Sequence, residues 1–363
     1  MSEILSQVEL GKVTIESNQI IITWEAVPGA TGYDIEIDGK IVNHGSSTIF
    51  SHKELQANTQ YSYRIRAKND NGVGEWSDLI RATTLPDNAI VITTKEELKQ
   101  ISNDMTALYV LGNDIDLENE EWEPIGSSSV AFSGEFDGRG YKIKNLKVNK
   151  ERESYIGLFG YINGAKIKNL KIENADIKGV SYVGSLVGQA ENSCNISNCT
   201  VEGKGKIKGI GSDIGGLIGR CYGVYGKIEN CSAKIRVEGS GSIMGGLVGS
   251  IDESDVFKCY STGDVIGTSS RIGGLIGYAN AGENNVIITE SYGLGNASGL
   301  DKVGGLIGEV RSYNHRKITV EDCFALGNVT SSETNRSYAG GLIGELDGDS
   351  DNYKSIVRNS YST

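Results

Sequence analysis

Three histidines, His44, His52 and His315, are all this chain has, and none sits in an H-E-x-x-H pattern. A zinc hydrolase of that kind needs two histidines one helical turn apart with a glutamate beside them as general base, so that chemistry is not expected here. All three histidines read as polar surface groups. Carboxylates offer more. Asp114, Asp116 and Asp137 would converge if successive segments of chain stack on one another, but they read as turn caps, since Asp in Asn-Asp and Asp-Gly accepts local backbone hydrogen bonds. Asp347, Asp349 and Asp351 have the alternate spacing of the front half of a calcium loop. The sixth position is Asn352 instead of Gly and the twelfth is Arg358 instead of Glu, so the pattern is half complete. Calcium is therefore the one cofactor the residues suggest, and otherwise none is expected. Tyr222, Tyr225, Tyr278 and Tyr313 are the candidate binding residues, because exposed phenol rings can stack on sugars or anchor a protein.

What must position these groups is a repeat. The pentad Gly215-Gly216-Leu217-Ile218-Gly219 recurs as variants bounded by Gly157 and Gly160 (from Ile156), Gly184 and Gly188, Gly245 and Gly249, Gly273 and Gly277, Gly304 and Gly308, and Gly340 and Gly344. Successive closing glycines are 28, 31, 30, 28, 31 and 36 residues apart. That period marks a solenoid. A second marker runs out of phase: Leu170, Cys199, Cys231, Cys259, Ser291, Cys323 and Ser360, usually led by an apolar-x-Asn triplet. The runs between markers are short and β-rich, and no run keeps a 3.6-residue apolar period over eleven residues, so each repeat reads as one coil of strands. The glycines would serve positive φ or close backbone approach at corners, with the pentad leucine pointing inward. Cys199, Cys231, Cys259 and Cys323 behave as a small buried ladder, Tyr260, Tyr292, Phe324 and Tyr361 just after it as an aromatic ladder, and Cys194 with Cys221 as the pair best placed for a disulfide.

The pentad at about 30-residue spacing resembles the GLUG motif of bacterial surface proteins, including adhesins and the non-catalytic part of IgA-specific metallopeptidases. The lead-in Tyr109 to Leu117, Trp122 to Gly126 and Phe132 to Gly138 is similar to what precedes such repeats. Residues 11–86 resemble a fibronectin type III domain: Trp24 and Tyr33, the alternating run through Tyr61, Tyr63, Ile65 and Ala67, then Trp76-Ser77 and Ala82-Thr83-Thr84. The resemblance implies that Trp24 is a core aromatic and that Tyr61 or Tyr63 forms a tyrosine corner.

The expected fold is all-β: a leader at 1–10, the sandwich at 11–86, a linker and N-terminal cap at 87–126, and a parallel β-solenoid at 127–363 that stops inside a repeat. Thr93 and Thr94 followed by Glu97 predict a short capped helix through about Met105. A net charge of -12 disfavours nucleic acid and anionic lipid, and the run Lys142, Lys144, Lys147, Lys150 reads as a solvated strand face. No 18-residue apolar run spans a membrane and no signal peptide opens the chain. The resemblance implies a non-catalytic, adhesin-like or spacer module outside the cell, whose partner is a glycan or a surface protein, with self-association through an open solenoid end as a further expectation. The alternatives from other classes are a carbohydrate-active β-helix enzyme or its accessory region, which would need charged groups clustered on one outward face of adjacent coils, and a structural component of a surface array.

Overall fold

A computed structural model describes residues 5–333, 337–348 and 355–363. The chain forms two compact units, one ending at Ala89 and one beginning at Ile90.

In the first unit, alternating sequences make antiparallel strands that bury every second side chain. Leu10–Ile15, Ile20–Trp24 and Ile49–His52 form one sheet. Lys40–Gly45, Gly32–Ile37, Gln60–Asn69, Gly72–Val73 and Ile80–Thr83 form the other. Between them lie Trp24, Tyr33, Ile35, Tyr63 and Ile65. The hydroxyl of Tyr61 accepts the Gln56 backbone N–H at 3.1 Å, so Tyr61 makes the tyrosine corner, while Tyr63 is buried with its hydroxyl 3.0 Å from His52 Nδ1. Leu5 and Val8, inside the stretch expected as a leader, are buried in this core, and a strand already begins at Leu10. The histidines also depart from expectation. His44 lies between Trp24 and Phe50, and His52 between Phe50, Tyr61 and Tyr63, all with ring centroids 5.3 to 6.0 Å apart. Both are half-buried aromatic packing groups, carried on the edge strands Lys40–Gly45 and Ile49–His52 of the two sheets.

The second unit is a parallel β-solenoid of about seven coils. Its entrance strand Ile90–Ile92 pairs with Leu108–Leu111, and helix α1 (Lys95–Lys99) continues as a 3-10 turn over Gln100–Asn103. The expected capping box is present: Thr94 Oγ1 accepts the Glu97 N–H at 3.1 Å, and Glu97 accepts the N–H groups of Thr93 and Thr94. Leu98 and Ile101 drop into the solenoid core, so this short helix covers the core at its first coil.

The coils contribute strands to three faces, the third from Ile214–Gly215 onward, and the described strand pairs across coils are parallel and keep register except where it shifts after Glu202 and after Tyr222. The rows Ile167-Ile196-Ile228-Val256-Ile288-Val320 and Ile143-Ile172-Val201-Ala233 run down the interior. Their side chains are fully buried or nearly so. Equivalent apolar residues thus pack on each other from coil to coil, which is how a repeat that cannot bury its own core becomes stable.

Corners and pentads divide their labour differently from the expectation. None of the pentad glycines has positive φ. The left-handed corners fall on Asn169, Asn198, Asn230, Lys258, Glu290, Asp322 and Asn359, with φ between 50 and 54°. Asparagine tolerates that region, and its amides also link coils: Asn198 Nδ2 donates to Asn169 Oδ1, and Asn169 Nδ2 to Asp137 Oδ1, both at 3.0 Å. The pentads need glycine for close approach alone. A Cβ on Gly219 would lie 2.5 Å from the Gly188 carbonyl oxygen of the previous coil.

All six cysteines are buried free thiols, so the Cys194–Cys221 bridge is not formed. Cys221 stands in register with Ala190, four residues short of Cys194, and the two thiols point to different partners, Ser254 Oγ and the Glu191 carbonyl. Burial pushes the Cys221 thiol up to about 11 and Cys194 to about 12. The ladder cysteines do more than fill space. Cys231 N–H donates to Cys259 Sγ at 3.4 Å, Cys259 N–H to Ser291 Oγ at 3.1 Å, and Cys323 N–H to Ser360 Oγ at 3.1 Å. Each thiol or hydroxyl also donates to the carbonyl two residues before it, for example Cys259 to Phe257 at 3.1 Å and Ser291 to Thr289 at 2.8 Å. Cys and Ser exchange here because the position requires a small γ atom that both accepts and donates.

Candidate functional site

Aligning the coils on their pentads brings three outward columns together on one side of the solenoid. One follows the closing glycine: Gln189, Arg220, Ser250, Tyr278, Glu309, Glu345. The next, two residues on, is Glu191, Tyr222, Asp252, Asn280, Arg311, Asp347. The third precedes the pentad at the left-handed turn and includes Tyr155, Tyr182, Asp213, Arg271 and Lys302, with φ from 52 to 66°. Inward neighbours such as Cys221, Ile251, Ala279 and Val310 are core, so the face is fixed to a rigid ladder.

Its charges are tightly paired. Glu309, fully buried, accepts from Lys302 at 2.9 Å, pairs with Arg311 at 3.0 Å and is also bound by Arg271 Nε. Lys302 reaches on to Glu345 at 2.5 Å, and Arg311 to Asp347 at 3.3 Å. Burial alone would raise the Glu309 carboxyl, yet Lys302 and Arg271 hold it below the usual range, so it stays ionised. One to three coils earlier Arg220 binds Asp252 at 2.9 Å, Asn280 Nδ2 donates to Asp252 at 3.0 Å, and Ser250 donates to Asp213. Burial pushes the Asp213 carboxyl up.

The predicted tyrosines divide. Tyr222 and Tyr278 stand in these columns and Tyr313 lies two residues beyond Arg311, and each carries a guanidinium over its ring: Arg220, Arg271 and Arg311 at 5.0, 5.0 and 5.9 Å. Tyr222 and Tyr313 are 45% and 40% exposed. Tyr278 is half-buried, and its hydroxyl is pushed up to about 12 by burial. Tyr225 stands apart, 80% exposed at a left-handed bulge. Of the calcium candidates, Asp347 pairs with Arg311, while Asp349 and Asp351 lie outside the described residues. Among the described residues no group of three or more His, Cys, Asp or Glu is arranged to hold a metal. Asp116 and Asp137 accept the turn N–H groups of Glu118 and Arg139, both at 2.8 Å, as their expected turn role requires, whereas Asp114 accepts the Lys142 N–H of the next coil at 3.0 Å and pairs with Lys144, so it links coils instead of capping a turn.

Sequence reading missed Arg220, Arg271, Lys302, Glu309 and Arg311. Their signal was available: each stands at a constant offset from a pentad glycine, and only an alignment in that phase displays the columns. The arrangement suits contact more than proton transfer. Asp213 and Asp252 are 6% and 7% exposed and Glu309 is fully buried, so these carboxylates are committed to their ion pairs and hydrogen bonds within the face.

The chain matches two families. Residues 6–83 match the fibronectin type III domain, and residues 48–203 match the N-terminal region of the M26 IgA1-specific metallo-endopeptidases. A putative Gly-rich membrane protein of Evansella cellulosilytica is 36% identical over 84 residues, which are 21% of this chain and 10% of that protein, so this chain spans about a tenth of that relative's length. Among solved structures, a fibronectin type III domain of human fibronectin type III domain containing protein 3 is 19% identical, covering 24% of this chain and 93% of that one at a TM-score of 0.22. Chitinase ChiA74 from Bacillus thuringiensis is 22% identical over 23% of this chain and 14% of its own, at a TM-score of 0.21. With the sandwich, the corner Tyr61 and the pentad solenoid in place, residues 6–83 are a fibronectin type III domain, and the β-solenoid repeat region that follows is similar, as far as residue 203, to the N-terminal region of the M26 IgA1-specific metallo-endopeptidases.

Proposed function

We propose that this chain is an adhesin-like binding module of a bacterial surface protein, acting outside the cell and presenting a rigid repeat face to a glycan or protein partner. The observation that carries the reading is the set of three Arg–Tyr stacks, at Tyr222, Tyr278 and Tyr313, mounted on coils whose backbones are locked in register. Each guanidinium is neutralised by a carboxylate behind it, so the rings and cations are held in place before any partner arrives, and little side-chain freedom is lost on contact. Arg and Tyr are also the residues that most often dominate interface energies. No single pocket is required, since many shallow contacts along the face add.

The test is binding of the whole chain to a glycan array and to a panel of host surface proteins, with release of reducing sugar measured on the same glycans. The double variant Tyr222→Ala/Tyr313→Ala should weaken binding at least tenfold while the unfolding transition stays in place. Sugar release, or binding unaltered in the variant, would refute the proposal.

A further inference from the structure

Residues 139–236 carry seventeen Lys and Arg against eight Asp and Glu, inside a chain whose net charge is -12. The fold turns this bias into a patch. On the solenoid face formed by Lys147–Asn149, Asp176–Gly179, Thr200–Gly209 and Ser232–Gly239, two outward rows run across the coils. One is Lys147, Asp176, Lys206, Arg236 and the other Asn149, Lys178, Lys208, Glu238. Val148, Ile177, Ile207 and Val237 between them are core, so these side chains have no choice but to point outward.

Elsewhere on the early coils lysines are neutralised: Lys142 by Glu173, Lys144 by Asp114, Lys168 by Glu135 and Lys150 by Glu123 and Glu153. That matches a solvated face for those residues. The two rows differ. Glu238 is shared by Lys206 and Arg236, while Lys147, Lys178 and Lys208 form no ion pair among the described residues. Lys178 and Lys208 are direct partners on adjacent parallel strands, an arrangement of like charges that costs stability. Farther along, the second row turns neutral as Ile266, Ser298 and Thr330, so the cost is confined to a few coils. A shallow cleft of about 150 Å³ lies beside the pair, lined by Glu151, Lys178, Gly179, Lys208 and Ile210. Ile210 is 53% exposed and supplies an apolar floor.

We propose that this patch binds a linear anionic polysaccharide lying along the solenoid axis, its carboxylates or sulfates on Lys178, Lys208, Lys147 and Arg236 and a sugar ring against Ile210. Coils repeat at about 4.8 Å, so each row offers at most one cation per coil. Duplex DNA presents a charge about every 1.7 Å and would overrun this field into the acidic remainder of the chain. A polymer bearing one anion per sugar or per pair of sugars fits the density. The ligand surface is separate from the Arg–Tyr face and does not depend on it.

The experiment compares binding of the whole chain to heparin, polygalacturonate, uncharged dextran and a double-stranded DNA oligonucleotide between about 50 and 200 mM salt. Lys178→Gln/Lys208→Gln is set against Lys258→Gln, a distant exposed lysine. Heparin or polygalacturonate should bind and weaken with salt, the double variant should lose at least tenfold and flatten the salt dependence, and Lys258→Gln should match the parent. Preference between the first two polymers assigns sulfate or carboxylate as the recognised group. An unshifted melting transition shows the variant folded. Equal binding by the double variant, tighter binding to DNA, or no binding to either acidic glycan would overturn the proposal.

Discussion

Replacing Cys259 by valine and by serine separates two reasons for the cysteine ladder. If the position wants only a small apolar filler, valine should serve and serine should cost stability. If it wants a γ atom that accepts and donates, the order reverses. In the structure Cys259 Sγ accepts the buried Cys231 N–H at 3.4 Å and donates to the Phe257 carbonyl at 3.1 Å. Valine abolishes both and leaves a buried N–H without a partner, a loss of about 1–3 kcal/mol. Serine keeps both, as Ser291 and Ser360 do in the same phase, and should stay within about 1 kcal/mol of the parent. The assay is urea unfolding of the full chain followed by far-ultraviolet circular dichroism, comparing midpoints at equal slope. A valine variant as stable as the serine variant, or more so, refutes the hydrogen-bond account.

Two further perturbations follow from the charged and aromatic clusters. Glu309→Ala should destabilise the solenoid by about 2–3 kcal/mol, less than for a fully buried pair because Arg271, Lys302 and Arg311 keep part of their surface in water; calorimetry of the solenoid's transition measures it. In the sandwich, burial holds His52 below its ordinary value of 6.5, so the folded state binds its proton less readily than the unfolded chain. The associated stability is fully present above about pH 6.5 and falls as the pH drops through that value, and His52→Gln should remove this part of the pH dependence in the sandwich transition.

Much of the architecture was legible because a repeat announces itself in one dimension. The pentads, the phase of Cys199 to Ser360 and the aromatic rows could be read by counting, and Tyr260, Tyr292 and Phe324 do stack at 4.9 and 4.7 Å with nearly parallel rings. The capping box at Thr94 is equally local. What counting could not reach depended on register. Coil lengths vary, so which lysine faces which carboxylate is set by how the extra residues are absorbed: Glu202 and Lys206 are separated by a bulge that shifts the register between two rows. The Lys178–Lys208 pair lies beyond that irregularity, whereas the Arg–Tyr columns keep a constant offset from the pentads and show only when the coils are aligned on them. His44 and His52 were misplaced because polarity alone does not tell an exposed imidazole from one packed edge-on against Phe50.

The in-register stacking of coils also sets how this unit answers to force. Hydrogen bonds between coils point along the solenoid axis, so a pull from end to end loads them in series, and the unit is only as strong as the weakest junction between neighbours. Yielding one coil at a time, each step would release about 30 residues, or roughly 100 Å of extended chain. A module built this way resists bending and side loads through its packed interior, yet under tension it lengthens by steps and spares whatever it is attached to.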